Sequence, residues 1–188
     1  MAQPAHTAAH LTVEEFLVCP TPEGKAELVR GELRMMPPAG GRHGVVVGRL
    51  LARLIGHVEP MRLGLVFGDA GFELLGLPRT VRAPDVSFVR AERLPAEGIG
   101  PGFVRLAPDL AVEVLSPSES ASRLEEKLDD YRAAGTPLIW VIDPERRTVM
   151  IVAADAPVRW LREEDALDGG GVVPGFSCRV AELFDGLA

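Results

Sequence analysis

Apolar and polar positions alternate along the chain in two rhythms, one near 3.6 residues and one of two, and each change of rhythm marks an element. "TVEEF" starts at Thr12 with Glu15 three residues later, a capping-box spacing that predicts a short helix ended by Pro20 and Pro22. In "ELVRGELRMM" two apolar runs flank Arg30-Gly31, predicting a hairpin that runs into the breakers Pro37-Pro38 and Gly40-Gly41. From His43 to Val58, Val46, Leu50, Leu51 and Leu54 recur at helical spacing, with Arg49 and Arg53 on a more polar side. "RLGLVFG", "GFELLG", "PDVSFV" and "PDLAVEVLS" then read as short strands of one mixed or antiparallel sheet. A second long helix is predicted from Ser122 to Ala134, opened by the box Ser122-x-x-Glu125 and stopped at Gly135 before Pro137. "LIWVI" and "TVMIVAA" follow as strands joined across "DPERR", where Pro144 suits the second position of a turn. Helices packed on a central sheet make this an α/β (α+β) domain. It is expected to be single, spanning 1–188, with a helical lead-in at about 11–19 and a loop-rich tail at about 155–188.

Composition narrows the class. A hydrophobic content of 47% over 188 residues supplies a substantial core. No stretch before Leu11 resembles a signal peptide, and no run approaches the roughly 18 apolar residues of a membrane span. A soluble, cytoplasmic protein is therefore expected. Cys19 and Cys178 lie far apart without CxxC or Cys/His ligand spacing, which indicates neither a disulfide framework nor a structural zinc site. The net charge of −7 argues against general coating of polyanions and leaves only local clusters to contact them. Of the 20 basic residues only Lys25 and Lys127 are lysines, which makes the position of each worth following.

Three polar residues interrupt the apolar pattern. Along "PDLAVEVLS", Leu110, Val112 and Val114 take one face and Ala111, Glu113 and Leu115 the other, so Glu113 faces a partly apolar side. A carboxylate there must be neutralised, hydrogen-bonded, paired with a cation or bound to a metal. In "APDVSFV", Asp85 shares a face with Ser87 and Val89 while Val86 and Phe88 point the other way. On the second helix Leu124, Leu128 and Tyr131 form a narrow apolar stripe, opposite Glu125, Glu126, Asp129 and Asp130. Lys127 falls at the edge of the stripe, aimed towards the sheet. Each residue has a plain structural role available: a salt bridge for Glu113, a turn for Asp85, a snorkelling stem for Lys127. Together they form a chemical set, since hard oxygen donors suit Mg2+ or Mn2+ and an ammonium can orient water or offset developing negative charge.

The stretches "LTVEEFL", "ELVRGELRMMPP", "RHGVVVGRL", "APDVSFV", "PDLAVEVLSPS" and "EKLDDYRAAGTPLIWVIDPE", in this order over roughly residues 11–155, resemble the Uma-two family, a restriction-endonuclease branch of the PD-(D/E)XK nuclease superfamily. The resemblance implies a restriction-endonuclease-like mixed central sheet flanked by helices and Mg2+-dependent phosphodiester hydrolysis. It makes Asp85 the first metal ligand and Glu113 the second, with the Val114 carbonyl a further candidate. The superfamily pattern places lysine two residues after the glutamate, where this chain has Leu115; Lys127 of "EKLDDY" matches a lysine supplied by the following helix instead. Glu27 matches a recurrent acidic position near the metal, Arg30 stands where an acidic residue is expected, and His43 matches a histidine that starts the first long helix, for a phosphate contact or a structural role.

The leading expectation is thus a Mg2+-dependent endonuclease acting on DNA. Asp85, Glu113 and Glu27 serve the metal and Lys127 positions or activates water; Arg42, Arg49 and Arg53, or Arg79 and Arg82, are available for local phosphate contacts, with a solvated, salt-bridged role the default for each. A homodimer would assemble a basic cleft and set two sites on two strands. The alternatives are a non-catalytic binding or assembly module that keeps the fold with a structural acidic/lysine cluster, and a hydrolase of another substrate.

Overall fold

The computed structural model describes residues 10–20, 25–117 and 119–187; the expected stop at Pro22 lies outside them, as does most of the segment before Leu11. The capping box forms as spaced: Thr12 Oγ1 accepts the Glu15 N–H at 3.1 Å, and the Glu15 carboxylate accepts the Thr12 N–H at 2.8 Å, opening α1 (Val13–Val18). β1 (Lys25–Val29) and β2 (Glu32–Met36) form the predicted hairpin. Its turn residues Arg30 and Gly31 have φ of 51° and 87°, the positive pair that a two-residue hairpin turn demands. Glycine meets that demand at no steric cost.

α2 (Gly41–Val58) buries Val46, Leu50 and Leu54 of the predicted face and Val58 beyond it, with Leu51 half-buried. β3 (Gly64–Gly68), β4 (Phe72–Glu73), β5 (Val81–Arg82), β6 (Val86–Arg90) and β7 (Leu110–Val114) follow. Then come α3 (Ala121–Ala133), β8 (Leu138–Asp143), β9 (Thr148–Ala153), β10 (Arg159–Leu161), β11 (Ala166–Asp168), β12 (Ser177–Arg179) and α4 (Ala181–Phe184).

The strands do not make one sheet. A four-stranded sheet runs β2-β1-β5-β4, a six-stranded mixed sheet runs β10-β9-β8-β7-β6-β3, and β11 pairs with β12. The division falls at Ala83-Pro84-Asp85: β5 ends at Arg82 in the small sheet and β6 starts at Val86 in the large one. Pro84 has no N–H to continue a ladder, so the chain changes sheets there and leaves Asp85 at the corner. In the large sheet only β7 and β8 are parallel, joined by the α3 crossover.

Both faces of β7 are covered, and the alternation sorts as read. Leu110, Val112 and Val114 pack with Val46, Leu50 and Leu54 of α2, while Ala111 packs with Leu128 and Tyr131 of α3. The tail carries more regular structure than its glycines suggest. Leu161, Leu167, Val173, Phe176, Val180, Leu183 and Phe184 complete the α2 side of the core.

Two details of α3 depart from expectation. The N-cap is Ser120, whose Oγ accepts the Arg123 N–H at 3.3 Å, so the helix starts one residue before Ser122 and Glu125 is not in capping position. Asp130, counted on the solvated acidic side, is 1% exposed because the small sheet covers that side and supplies cations to it.

The β8–β9 turn is held by Asp143, whose Oδ1 accepts the N–H groups of Glu145 and Arg146 at 2.9 and 3.0 Å and whose Oδ2 accepts from the Arg146 guanidinium at 2.8 Å. Burial alone would raise this carboxyl; the Arg146 guanidinium and the two N–H donors outweigh it and hold it below the usual range. A depressed carboxyl contributes stability above its unfolded value of about 3.9 and loses it as pH falls through the folded value. Asp143→Ala is therefore expected to cost roughly 1–2 kcal/mol at pH 7, with a smaller gap from wild type at pH 3, measured by urea denaturation. A gap constant between the two pH values would refute the assignment.

Candidate active site

β6 and β7 pair with Val86 opposite Val112 and Ser87 opposite Ala111. One step further, the same register sets Asp85 opposite Glu113, with both side chains on the α3 face. Two carboxylates in that relation repel unless cations lie between or beside them. The structure supplies two, the chain's only lysines.

Asp85 Oδ1 accepts from Lys25 Nζ at 2.9 Å, and Oδ2 accepts from the Val114 N–H at 2.8 Å and lies 3.1 Å from His43 Nε2. Lys25 also bridges to Asp69 at 2.8 Å. Glu113 Oε2 accepts from Lys127 Nζ at 2.7 Å and Oε1 from the Tyr131 hydroxyl at 2.7 Å. Lys127 and Tyr131 stand four residues apart on α3 and so address the same strand position. Lys127 further contacts Glu119 at 3.2 Å.

Glu27 shares a face of β1 with Lys25, yet its oxygens are occupied by the Arg82 guanidinium at 2.9 Å and the Ala83 N–H at 3.0 Å. Arg82 in turn donates to Asp130 at 2.6 Å, and Arg30 reaches Asp130 at 2.8 Å and Glu126 at 3.2 Å. Arg82 takes the salt-bridged role that was its default in the sequence, rather than a phosphate contact: it is 3% exposed and spent on this network. Arg49 and Arg53 of α2 turn to the Leu183 carbonyl and Glu182 at the C-terminal end, and Arg42 pairs with Glu145.

These groups open onto a cavity of about 400 Å³. Asp85, Glu113 and Lys127 lie at its floor, with Glu27, Lys25 and His43 beside them and Met35, Met36, Pro37 and Pro38 forming an apolar wall.

Burial would raise the Asp85 carboxyl, but the hydrogen bond to His43, the Lys25 ammonium and the Val114 N–H hold it well below the usual carboxylate range. Glu113 goes the other way. Complete burial pushes it up to about 7 against the pull of Lys127, and the Asp85 charge adds to the rise. Burial opposes the Lys127 ammonium, yet Glu113, Glu27 and Glu119 keep it well above the ordinary lysine range. Lys25 is held high likewise, by Asp85, Glu113 and Asp69 against burial.

The cavity thus brings together Asp85, Glu113, Lys127, Glu27 and His43, and turns His43 onto Asp85. Neither Lys25 nor the Tyr131 hydroxyl has a role in the sequence pattern alone. The rarity of lysine was the signal available for Lys25; the Tyr131 hydroxyl had none, because the ring belongs to the apolar stripe. Among the described residues no group of three or more His, Cys, Asp or Glu side chains is arranged to hold a metal ion. Mg2+ commonly takes one or two protein carboxylates and completes its shell with water and substrate phosphate, and the paired, mutually repelling Asp85 and Glu113 fit that donor set.

No curated protein matches the chain. A solved structure described as a "putative nuclease belonging to DUF820", from Anabaena variabilis, superposes with a TM-score of 0.82 at 22% identity, covering 93% of this chain and 97% of that one. At that identity the likeness speaks for the fold, a mixed six-stranded sheet flanked by helices. A family model described as "Putative restriction endonuclease" matches residues 13–181, which is most of the molecule, and the chain therefore belongs to the Uma2 family.

Proposed function

We propose that the protein is a Mg2+- or Mn2+-dependent endonuclease that hydrolyses phosphodiester bonds in DNA. The family and the fold support a nuclease. The observation that carries the finer reading is the convergence of Asp85 and Glu113 from neighbouring strands at a cavity floor, with the Lys127 ammonium 2.7 Å from Glu113. Asp85 and Glu113 would hold the metal, which when bound supplies Lewis-acid polarisation of the phosphodiester. Lys127 then orients the attacking water and offsets negative charge that develops on the phosphoryl oxygens. Glu113 and Glu119 keep that lysine charged, and Tyr131 fixes the Glu113 carboxylate. The cavity lining includes six carboxylates and five Lys or Arg cations, so an anionic substrate needs a bound divalent cation to meet a favourable field.

A second reading has its own support. Each oxygen of Asp85 and Glu113 already faces a protein donor, as a purely structural cluster would require. Calorimetric titration separates the two. Mn2+ is expected to bind the wild type and to lose at least about tenfold in affinity, or 1.4 kcal/mol, in Asp85→Asn. No binding to either protein would remove the metal mechanism and leave the structural cluster.

A further inference from the structure

The candidate centre is recessed: Asp85, Glu113 and Lys127 are 9%, 1% and 5% exposed at the floor of the cavity. A scissile phosphate has to descend to them and brings its neighbouring base along. The wall that this base would meet is apolar and is built next to the centre by strand register. Met36 pairs directly with Lys25, the residue bonded to Asp85, so its side chain shares the cavity face of the hairpin. Arg34, which pairs with Glu27, shares that face, and Pro37 extends the lining beyond the strand.

Paired bases in a duplex are stacked on each other and cannot lie against such a wall. An unpaired base can, and a polarisable thioether is a favourable neighbour for an aromatic ring. The electrostatics agree. A net charge of −7 offers little for tracking a long duplex, whereas the cavity mouth has Arg123, which has no ion-pair partner among the described residues.

We propose that the cavity takes an unpaired nucleotide: the scissile strand enters single-stranded, with its base against Met36 and Pro37 and its phosphate at the Asp85–Glu113 floor. This rests on the nuclease reading and names its substrate form. Single-stranded, bulged or flapped DNA then qualifies, and perfect duplex does not.

The test is fluorescence anisotropy with a labelled oligodeoxynucleotide in Ca2+, presented as a single strand, as a perfect duplex and as a duplex with an unpaired bulge. The single strand and the bulged duplex should bind at least about tenfold more tightly than the perfect duplex. Met36→Ala should reduce single-strand affinity by roughly two- to tenfold with duplex binding unchanged, and Met36→Leu, which keeps the apolar volume, should restore it. Circular dichroism verifies that both variants fold. Equal affinities for single strand and duplex, no binding of any form, or an equal loss on both forms in Met36→Ala would overturn the proposal. If the strand preference holds but no oligonucleotide is cut in Mg2+ or Mn2+, the hydrolytic reading fails and this one stands; preferential cutting of perfect duplex does the reverse.

Discussion

Lys127→Met is expected to slow phosphodiester cleavage by at least about 10²–10³-fold and to destabilise the fold by roughly 3–5 kcal/mol. Both effects follow from one contact. The Lys127 ammonium and the Glu113 carboxylate are 6% and 1% exposed and 2.7 Å apart, so deleting the cation leaves a buried carboxylate with the Tyr131 hydroxyl as its remaining donor. Burial has already pushed Glu113 up to about 7, and without Lys127 it rises further and holds a proton at neutral pH. The double variant Lys127→Met/Glu113→Gln separates structure from chemistry. With neither charge present, most of the lost stability should return, while cleavage stays abolished. Urea denaturation and oligonucleotide cleavage assays read the two effects, and a Lys127→Met protein that cuts at the wild-type rate removes this residue from the mechanism. If the cluster is only structural, the stability changes remain and there is no cleavage to lose.

Arg82→Met carries the second large effect, a loss of about 3–5 kcal/mol, which for a chain of this length lowers Tm by roughly 10 °C or more. Arg82 joins Glu27 on β1 to Asp130 on α3, and all three side chains are at most 3% exposed. It thereby fastens the small sheet to the helix that crosses the large one. Its removal leaves buried Glu27 with the Ala83 N–H and no cation, and Asp130 with Arg30 alone, a cost set by desolvation rather than by the worth of the pair. Glu27→Gln and Asp130→Asn added to Arg82→Met should recover much of the loss. An Arg82→Met protein that melts with the wild type but binds DNA poorly would instead make Arg82 a phosphate contact.

The residues that were hard to read share a cause. Counting 100° per residue along α3 identifies the face that meets the large sheet, so Leu128, Tyr131 and the inward lean of Lys127 were legible. The same count assigns Asp130 to solvent, because it carries no information about a second sheet lying against another side of the helix. Lys25 presents a similar case. Its role follows from how the β1–β2 hairpin docks across the Pro84 corner, and docking is not a local property of "KAELV". The N-cap shifted from Ser122 to Ser120 since serines at both positions offer an acceptor and their spacing does not choose between them.

Local patterning by itself determined which residues alternate, which face of each element is apolar, and that Asp85, Glu113 and Lys127 violate that pattern, because periodicity and the cost of burying charge act within a few residues of chain. Tertiary structure decided the rest: the two-sheet corner that sets Asp85 opposite Glu113, the approach of Lys25 and Tyr131, and the diversion of Glu27 and Arg82 into a brace with Asp130. Those contacts join residues 14 to 60 positions apart, and a charge finds its partner through the packing of whole elements.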